Sequence, residues 1–137
     1  MIRKVLLIED QPHENRRAIK MLEESGYLVV KANGPAAAEL RLRQHPDVDL
    51  VVLDCILPCE EFDEVETQQG TLTGYLLYKK YIEKLEIPVI LWSGLAQAFA
   101  LGWGKNVILK ARKQMHESEL LDLVERSESL LTDRRRK

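Results

Sequence analysis

The stretch DVDLVVLDCILP, from Asp47 to Pro58, decides how the rest of the chain can fold. Inside it an unbroken apolar run, Leu50–Leu53, meets an acid at Asp54. A short continuous apolar run is typical of a strand that is buried on both faces of a parallel sheet. Asp54 then lies at the carboxyl end of that strand, which is the edge where ligands collect in open α/β sheets. Taken alone, an acid at this position is more often a loop cap than a reactive group.

A second apolar run ends in acids near the N-terminus. The run from Val5 to Ile8 is followed by Glu9 and Asp10. Two parallel strands would therefore deliver three carboxylates to one edge of a sheet. Such a cluster repels itself unless it holds a cation, and hard carboxylate oxygens suit Mg²⁺. The two runs together predict a magnesium site that includes Asp54.

Apolar runs and helical spacings alternate along the whole chain. The patterns predict strands at residues 4–8, 27–30, 50–53, 89–92 and 106–109. Helices are expected from Pro12 to Gly26, before Pro46, from Leu72 to about Lys84, and from about His116 to Leu131. Strands that alternate with helices imply a five-stranded, parallel, doubly wound sheet. The length of the chain suits one such domain.

Polar residues follow the fourth and fifth predicted strands as well. Ser93 ends strand four, and Lys110 comes directly after strand five. The predicted architecture brings both to the edge that holds Glu9, Asp10 and Asp54. A carboxylate can accept a phosphoryl group where a metal screens the charges, a cation neutralises the developing oxyanions and a hydroxyl holds one oxygen. This edge supplies each of those parts.

Each of these residues also has an ordinary explanation. An aspartate at a strand end is often a cap, Ser93 can bond only to backbone, and Lys110 can be a solvated charge at the rim. Their joint occurrence at successive strand ends favours a common site over three separate coincidences.

Over roughly residues 3–131 the sequence resembles the receiver domain of two-component response regulators, the CheY-like family with a flavodoxin-like fold. The motifs are Ile8-Glu9-Asp10, Leu53-Asp54 with Pro58 beyond it, the run from Pro88 to Gly94, and Ile108-Leu109-Lys110. The resemblance implies that Asp54 is the phosphoacceptor of a signalling domain that is not an enzyme. It also implies Mg²⁺ ligands in Glu9, Asp10, Asp54 and the backbone carbonyl of Ile56, a hydrogen bond from Ser93 to the phosphoryl group, and an ion pair from Lys110.

The chain departs from the family pattern in several places. The family usually has proline after its lysine, whereas Ala111 follows Lys110, so the peptide there is expected to be trans. The family's aromatic residue, three positions before the lysine, falls on Val107. An acidic insertion after the third strand moves the glycine that opens helix three to about Gly74. The segment before Lys110 is too short for a full fourth helix.

Composition excludes several classes of partner. The net charge of -2 and a pI near 6.0 offer no general basic field for nucleic acid or an anionic membrane. Cys55 and Cys59 have no second cysteine pair or clustered histidines, so neither a disulfide framework nor a zinc site is indicated. The first apolar run is too short for a signal peptide, and a cytoplasmic protein is expected. The uncharged stretch from Ile87 to Gly104 is interrupted by proline and glycines, which argues against a membrane span.

Two segments are expected to be irregular. Residues 59–70 carry five acids and little apolar sequence, which predicts an exposed, mobile loop. In the stretch from Leu95 to Trp103, a short helix cannot turn Phe99, Leu101 and Trp103 all inward. Apolar surface should then remain exposed as a homodimer or partner interface, unless all three side chains fold back over the sheet edge.

The main hypothesis is a stand-alone receiver over residues 1–131, followed by a basic tail over 132–137. It takes a phosphoryl group from a histidine kinase or a phosphotransfer protein onto Asp54 and signals by contact with a downstream protein. The first rival is a pseudo-receiver that acts as a constitutive interaction module. The second is a small hydrolase that uses Asp54 as a covalent nucleophile on phosphate esters. Mg²⁺-dependent labelling by a small phosphodonor separates the first two, and steady turnover of an ester favours the third.

Overall fold

In the computed structural model, which describes residues 1–114 and 116–136, five strands alternate with helices. The strands are β1 (Lys4–Ile8), β2 (Leu28–Ala32), β3 (Leu50–Leu53), β4 (Val89–Ser93) and β5 (Val107–Arg112). The α-helices are α1 (Arg16–Glu24), α2 (Pro35–Gln44), α3 (Thr73–Leu77) and α4 (Glu119–Arg136). Shorter turns are the 3-10 segments Pro12–Asn15, Glu83–Leu85 and Ala96–Ala100, and the π-helical segment Tyr78–Ile82 that continues α3.

All five strands pair in parallel, in the order β2-β1-β3-β4-β5. β3 is central, because Leu53 pairs with Ile8 of β1 on one side and with Leu91 of β4 on the other. The carboxyl ends of the three middle strands therefore meet at one edge of the sheet. The predicted five-stranded, doubly wound architecture is confirmed.

The core lies on both faces of the sheet, because neighbouring residues of a strand point to opposite sides. Val5 and Leu7 of β1 pack in the cluster that includes residues of α1 and α4. Leu6 and Ile8 pack in the other cluster, with residues of α2 and α3. Leu50–Leu53 is fully buried, as its unbroken apolar run predicts.

Strand β5 is longer than predicted. Its pairing with β4 shifts register between Val89 and Ile90 and then continues to Arg112, beyond the predicted end at Leu109. Leu109 and Ala111 pack against the core cluster beside α1 and α4, whereas Lys110 and Arg112 are exposed. A strand at the edge of a sheet commonly carries charged side chains on its open face. The polar residue that follows the strand is therefore Lys113, not Lys110.

The fourth helix is shortened, as predicted, to the 3-10 turn Ala96–Ala100. The apolar surface predicted on this segment is only partly exposed, because Phe99, Leu101 and Trp103 are all half-buried. They pack against a small core cluster of Cys55, Leu91 and Ala98. All three side chains thus fold back over the sheet, which is the alternative that the spacing left open.

The acidic segment 59–70 is packed rather than loose. Its acidic side chains are exposed as predicted, but Thr67 is fully buried and Phe62 packs against the core cluster beside α2 and α3. Leu57 N–H donates to the carbonyl of Gly70 at 3.1 Å, which joins the two ends of the segment. The sequence predicts that the segment has little to bury, and the structure buries one threonine and part of one aromatic ring; its mobility stays a prediction.

Helix α4 runs from Glu119 to Arg136, so it begins later and ends later than predicted. The backbone of residues 132–136 is helical, and the division into a domain and a basic tail at residue 131 stays a prediction. Among the described residues, no helix combines the length and the apolar character needed to cross a membrane.

Candidate functional site

Three carboxylates meet at the carboxyl edge of the sheet. Glu9 and Asp10 follow β1, Asp54 follows β3, and one oxygen from each lies within 4.8 Å of the others. Glu9 is 4% exposed and Asp54 is 5% exposed, whereas Asp10 is exposed. The structure thus brings together the three acids that the strand ends predict.

Asp54 is held by its own loop. Its Oδ1 accepts a hydrogen bond from the backbone N–H of Ile56 at 3.1 Å, and its backbone N–H donates to the carbonyl of Ile8 at 3.0 Å. Gly74 of α3 lies directly against this loop: a Cβ on Gly74 would be 2.2 Å from the Asp54 carbonyl oxygen. Only glycine allows the helix so close, in the place where the sequence predicts the displaced glycine.

Glu9 is fixed from both sides. Its Oε2 accepts from the backbone N–H of Gln11 and from Asn15 Nδ2, both at 3.0 Å. Burial, together with the charges of Asp54 and Asp10, raises the pKa of Glu9 above its usual value against the opposing effect of Lys113.

Lys113 joins the two buried carboxylates. Its Nζ donates to Asp54 Oδ2 at 2.7 Å and to Glu9 Oε1 at 3.2 Å. Its backbone N–H donates to the Ser93 carbonyl at 3.1 Å, so the end of β5 is tied to the end of β4. Burial alone would lower the pKa of Lys113, but the Asp54 and Glu9 carboxylates outweigh it and the pKa is raised. Lys113 therefore stays an ammonium at neutral pH.

Lys110 does not lie at this site, which corrects the prediction. Its side chain is exposed, and Nζ donates to the backbone carbonyl of Phe99 at 3.4 Å. The physical reason is the length of β5: with strand pairing through Arg112, residue 110 is still inside the strand, and its side chain bonds to Phe99 and not to a carboxylate. The alternation of Leu109 and Ala111 with two cations was the sequence signal for a longer strand.

Ser93 reaches the same edge, and its side chain is fully buried. Its Oγ accepts from the backbone N–H of Leu95 at 3.2 Å. This is the kind of backbone bond that a serine with no role in the site would also make. A hydroxyl that accepts one bond can still donate its own hydrogen. Ile56 is 38% exposed, and its carbonyl as a metal ligand stays a prediction.

Two residues that the strand-end reasoning missed lie beside Lys113. Lys113 Nζ is 4.8 Å from the centroid of the Trp92 ring, and Trp92 Nε1 donates to Glu119 Oε1 at 2.6 Å. Trp92 is the penultimate residue of β4, and Glu119 begins α4. No local spacing connects the two residues, so the pair could be found only from the fold.

The donor set fits a hard divalent cation. The cluster has three carboxylates, of which Glu9 and Asp54 pair with the one ammonium of Lys113, so negative charge is in excess and the carboxylates offer oxygen ligands only. Mg²⁺ binds through a small number of carboxylates and keeps several waters, so the exposed position of Asp10 suits it.

Comparison with known proteins agrees with the fold. No family model matches the chain. The protein PilH of Pseudomonas aeruginosa is 29% identical over 107 residues, which cover 75% of this chain and 77% of PilH. The response regulator GtcR of Aneurinibacillus migulanus is 28% identical over 93 residues, which cover 68% of this chain. This chain spans only a third of the length of GtcR, 33%.

Solved structures show the same architecture. The response regulator TrrA of Thermotoga maritima, in complex with Mg²⁺ and BeF, has a TM-score of 0.63 at 20% identity, with 91% of this chain and 98% of that chain covered. A Francisella response-regulator receiver domain has a TM-score of 0.64 at 23% identity, with 90% and 93% covered. These likenesses confirm the predicted fold and, with the sequence relatives, the resemblance to receiver domains.

Proposed function

We propose that this chain, a receiver domain of the response-regulator type, accepts a phosphoryl group on Asp54 from a histidine kinase or a phosphotransfer protein and signals by protein contact. The observation that carries the proposal is the ion-paired carboxylate of Asp54. It is almost buried at the sheet edge, bound by Lys113, and lies beside the acids Glu9 and Asp10.

The reaction joins an Asp54 oxygen to phosphorus while the bond from phosphorus to the donor nitrogen breaks. The electron pair of that bond stays on the donor imidazole. Negative charge develops on the phosphoryl oxygens, and the ammonium of Lys113 is close enough to neutralise it, since it already lies 2.7 Å from Asp54 Oδ2. Ser93, whose O–H can still donate, would bind one phosphoryl oxygen.

Glu9, Asp10 and Asp54 would hold Mg²⁺, with the carbonyl of Ile56 as a further ligand. When bound, the metal supplies positive charge that lets an anionic phosphoryl group approach a carboxylate. Lys113 now binds the same carboxylates, so it must share them or move toward the phosphoryl oxygens when a cation enters.

Mass spectrometry after treatment with acetyl phosphate and Mg²⁺ tests the phosphoacceptor. Asp54→Asn should abolish a base-labile phosphoryl adduct. Asp63→Asn is the matched control, because Asp63 Oδ1 also accepts a backbone N–H two residues ahead, from Val65 at 2.6 Å, but Asp63 is exposed on the acidic segment. Retention of the adduct in Asp54→Asn would contradict the proposal.

Lys113 and Lys110 form a second matched pair. Lys113→Ala should lower the labelling rate about a hundredfold, which is typical for loss of one donor to developing negative charge. Lys110→Ala should label at the wild-type rate, because Lys110 bonds only to the Phe99 carbonyl among the groups described. The opposite ranking would return the role to Lys110.

One observation favours the pseudo-receiver rival. With Lys113 as the site lysine, the position three residues earlier is Lys110, an exposed cation where the resembling family has an aromatic residue. A module that keeps its acidic edge without coupling it to an aromatic side chain would show a phosphoryl adduct but no change in partner binding, or no adduct at all.

The homodimer through residues 95–103 stays a prediction, although the apolar surface on which it was based is half-buried.

A further inference from the structure

The Lys113 side chain lies against the face of an aromatic ring as well as against carboxylates. Its Nζ is 4.8 Å from the centroid of the Trp92 indole. Trp92 is only 2% exposed, and the side chain of Lys113 is 12% exposed. Cation–π attraction is strongest where water is excluded, so the indole is a strong partner for this ammonium.

A single buried carboxylate holds both the ring and the backbone after Lys113. Glu119 is 6% exposed, and its Oε1 accepts the indole N–H of Trp92 at 2.6 Å. Its two oxygens also accept the backbone N–H of Gln114, at 3.0 Å and 2.9 Å. Glu119 therefore fixes the surface on which the ammonium rests and the main chain directly beyond the Lys113 Cα.

The identity of residue 114 makes this arrangement possible. The family that the sequence resembles usually has proline after its lysine, and proline has no N–H to donate. Gln114 supplies that N–H, and Glu119 binds it. In that family the proline ring restricts the backbone after the lysine. In this chain the hydrogen bonds from Gln114 to Glu119 of α4 restrict it instead.

We propose that Trp92 and Glu119 are positioning residues that hold the Lys113 ammonium at the Asp54 carboxylate, in place of a proline after the lysine. The expected effect on the labelling rate rests on the proposed function of Asp54. The contact between Lys113 and Trp92 does not depend on that function. A purely structural role is the competing explanation, since Trp92 also belongs to the core cluster beside α1 and α4. That role predicts lost stability without any dependence on Lys113.

The test compares labelling rates of Trp92→Leu, Trp92→Phe and Glu119→Gln. Trp92→Leu should label about tenfold more slowly, because it removes the π face from a desolvated ammonium. Trp92→Phe keeps a ring but loses the N–H and should lie between Trp92→Leu and wild type. Glu119→Gln should also be slower, because its single amide oxygen is uncharged and must accept both the indole N–H and the Gln114 N–H, which weakens both bonds.

Matched controls exist for both residues. Trp103 Nε1 donates to the Ala98 carbonyl at 2.6 Å, so Trp103→Phe removes a similar indole bond away from Lys113. Glu128, on the same helix as Glu119, accepts the Ile2 N–H at 2.9 Å and the Tyr27 hydroxyl at 3.1 Å. Glu128→Gln should label at the wild-type rate, as should Trp103→Phe.

A double-mutant cycle separates positioning from structure. In a Lys113→Ala background, Trp92→Leu should cause no further loss of rate. An equal loss in both backgrounds, or wild-type rates in Trp92→Leu and Glu119→Gln, would overturn the inference while leaving the phosphoacceptor proposal intact.

A second readout needs no phosphorylation. The ε-methylene protons of Lys113 should be shifted upfield by the indole ring current in wild type, and the shift should be lost in Trp92→Leu and reduced in Glu119→Gln. If wild type takes no label, the proposed function fails and this NMR shift still decides the contact. Unshifted protons in wild type would overturn the positioning role.

Discussion

Two segments follow the middle strands β3 and β4 at the edge of the sheet where the site lies. Different interactions stabilise them. Residues 59–70, after β3, are held mainly by hydrogen bonds, both between backbone groups and between side chains and backbone. Residues 94–106, after β4, are held mainly by aromatic packing. Both segments have loop-like sequences. Their comparison shows that such a segment can be ordered by one buried hydroxyl, here of Thr67, or by one aromatic ring, here of Trp103.

The acidic segment is organised by Thr67. Its Oγ1 accepts the Gly70 N–H at 3.1 Å, donates to the Glu64 carbonyl at 3.3 Å and lies 3.1 Å from Cys59 Sγ. Glu60 Oε1 accepts the Ala36 N–H at 2.7 Å, so the segment also caps α2. The acidic side chains of the segment are exposed, but most of its backbone hydrogen bonds join residues within the segment or close to its ends.

The segment after β4 is organised by Trp103. Its ring makes edge contacts with Tyr75, at a centroid distance of 5.0 Å, and with Tyr78, at 5.1 Å. Its indole N–H donates to the Ala98 carbonyl and closes the 3-10 turn. Removal of a hydrogen-bonding side chain should therefore destabilise residues 59–70, and removal of an aromatic ring should destabilise residues 94–106.

Gly74→Ala should have the largest effect, because Gly74 lies directly against the backbone of Asp54 and Cys55, between the two segments in sequence. A Cβ there would be 2.2 Å from the Asp54 backbone oxygen and 2.7 Å from the Cys55 Cα, and neither atom is on a flexible side chain. We expect a loss of about 3 kcal/mol in free energy of unfolding, measured by urea denaturation. Gly94→Ala is the control, since no atom beyond the two chain neighbours of Gly94 would lie within 4 Å of an added Cβ. Equal stability of the two variants would contradict the close approach.

Trp103→Leu should cost about 2 kcal/mol, because it removes half-buried aromatic contacts and one hydrogen bond. Thermal unfolding followed by far-UV circular dichroism measures the change. Val65→Ala, in the acidic segment, removes apolar atoms from a residue that is 85% exposed and should leave the melting temperature unchanged. If the two variants behave alike, aromatic packing does not hold the segment after β4.

Thr67→Val should cost about 1–2 kcal/mol, since it keeps the shape of the side chain but leaves the buried Gly70 N–H without its acceptor. Hydrogen exchange of the Gly70 amide should accelerate. Thr71→Val is a gentler change, because the Thr71 hydroxyl donates to the Gln68 carbonyl at 2.9 Å at an exposed site. Slow exchange at Gly70 in Thr67→Val would show that the hydroxyl is dispensable.

Glu60→Gln should have the smallest effect, about 0.5 kcal/mol, because it removes a negative charge from the N-terminus of α2 but can keep the bond to Ala36. The difference from wild type should shrink in 1 M salt, since the charge is exposed. Glu64→Gln removes a charge from the same segment without this bond and serves as control. A salt-independent difference would exclude the helix-dipole explanation.

Much of the fold could be predicted from the sequence because its signal is local. Unbroken apolar runs predict buried strands, and acids directly after two such runs predict the cluster of Glu9, Asp10 and Asp54. Lys110 was misplaced because the end of β5 is set by its pairing with β4, including the shift in register after Val89, and not by the apolar run alone.

The remaining differences have the same origin in tertiary contacts. The acids of residues 59–70 predict an exposed surface correctly, but burial of Thr67 depends on where the segment packs. Glu119 meets Trp92 across 27 residues of sequence, and no periodic pattern connects them. The sequence likewise shows only that Gln114 has an N–H to donate, and the acceptor of that N–H, Glu119, is known only from the fold.

The strand order has a consequence for how the chain folds as it is synthesised. β1 lies between β2 and β3, so the first strand to emerge cannot complete its pairing until Leu50–Leu53 has followed. Until then the edge of β1 that pairs with β3 remains open, which is a condition under which aggregation competes with folding. We expect β1, the strand that Glu9 directly follows, to be prone to misassembly during translation.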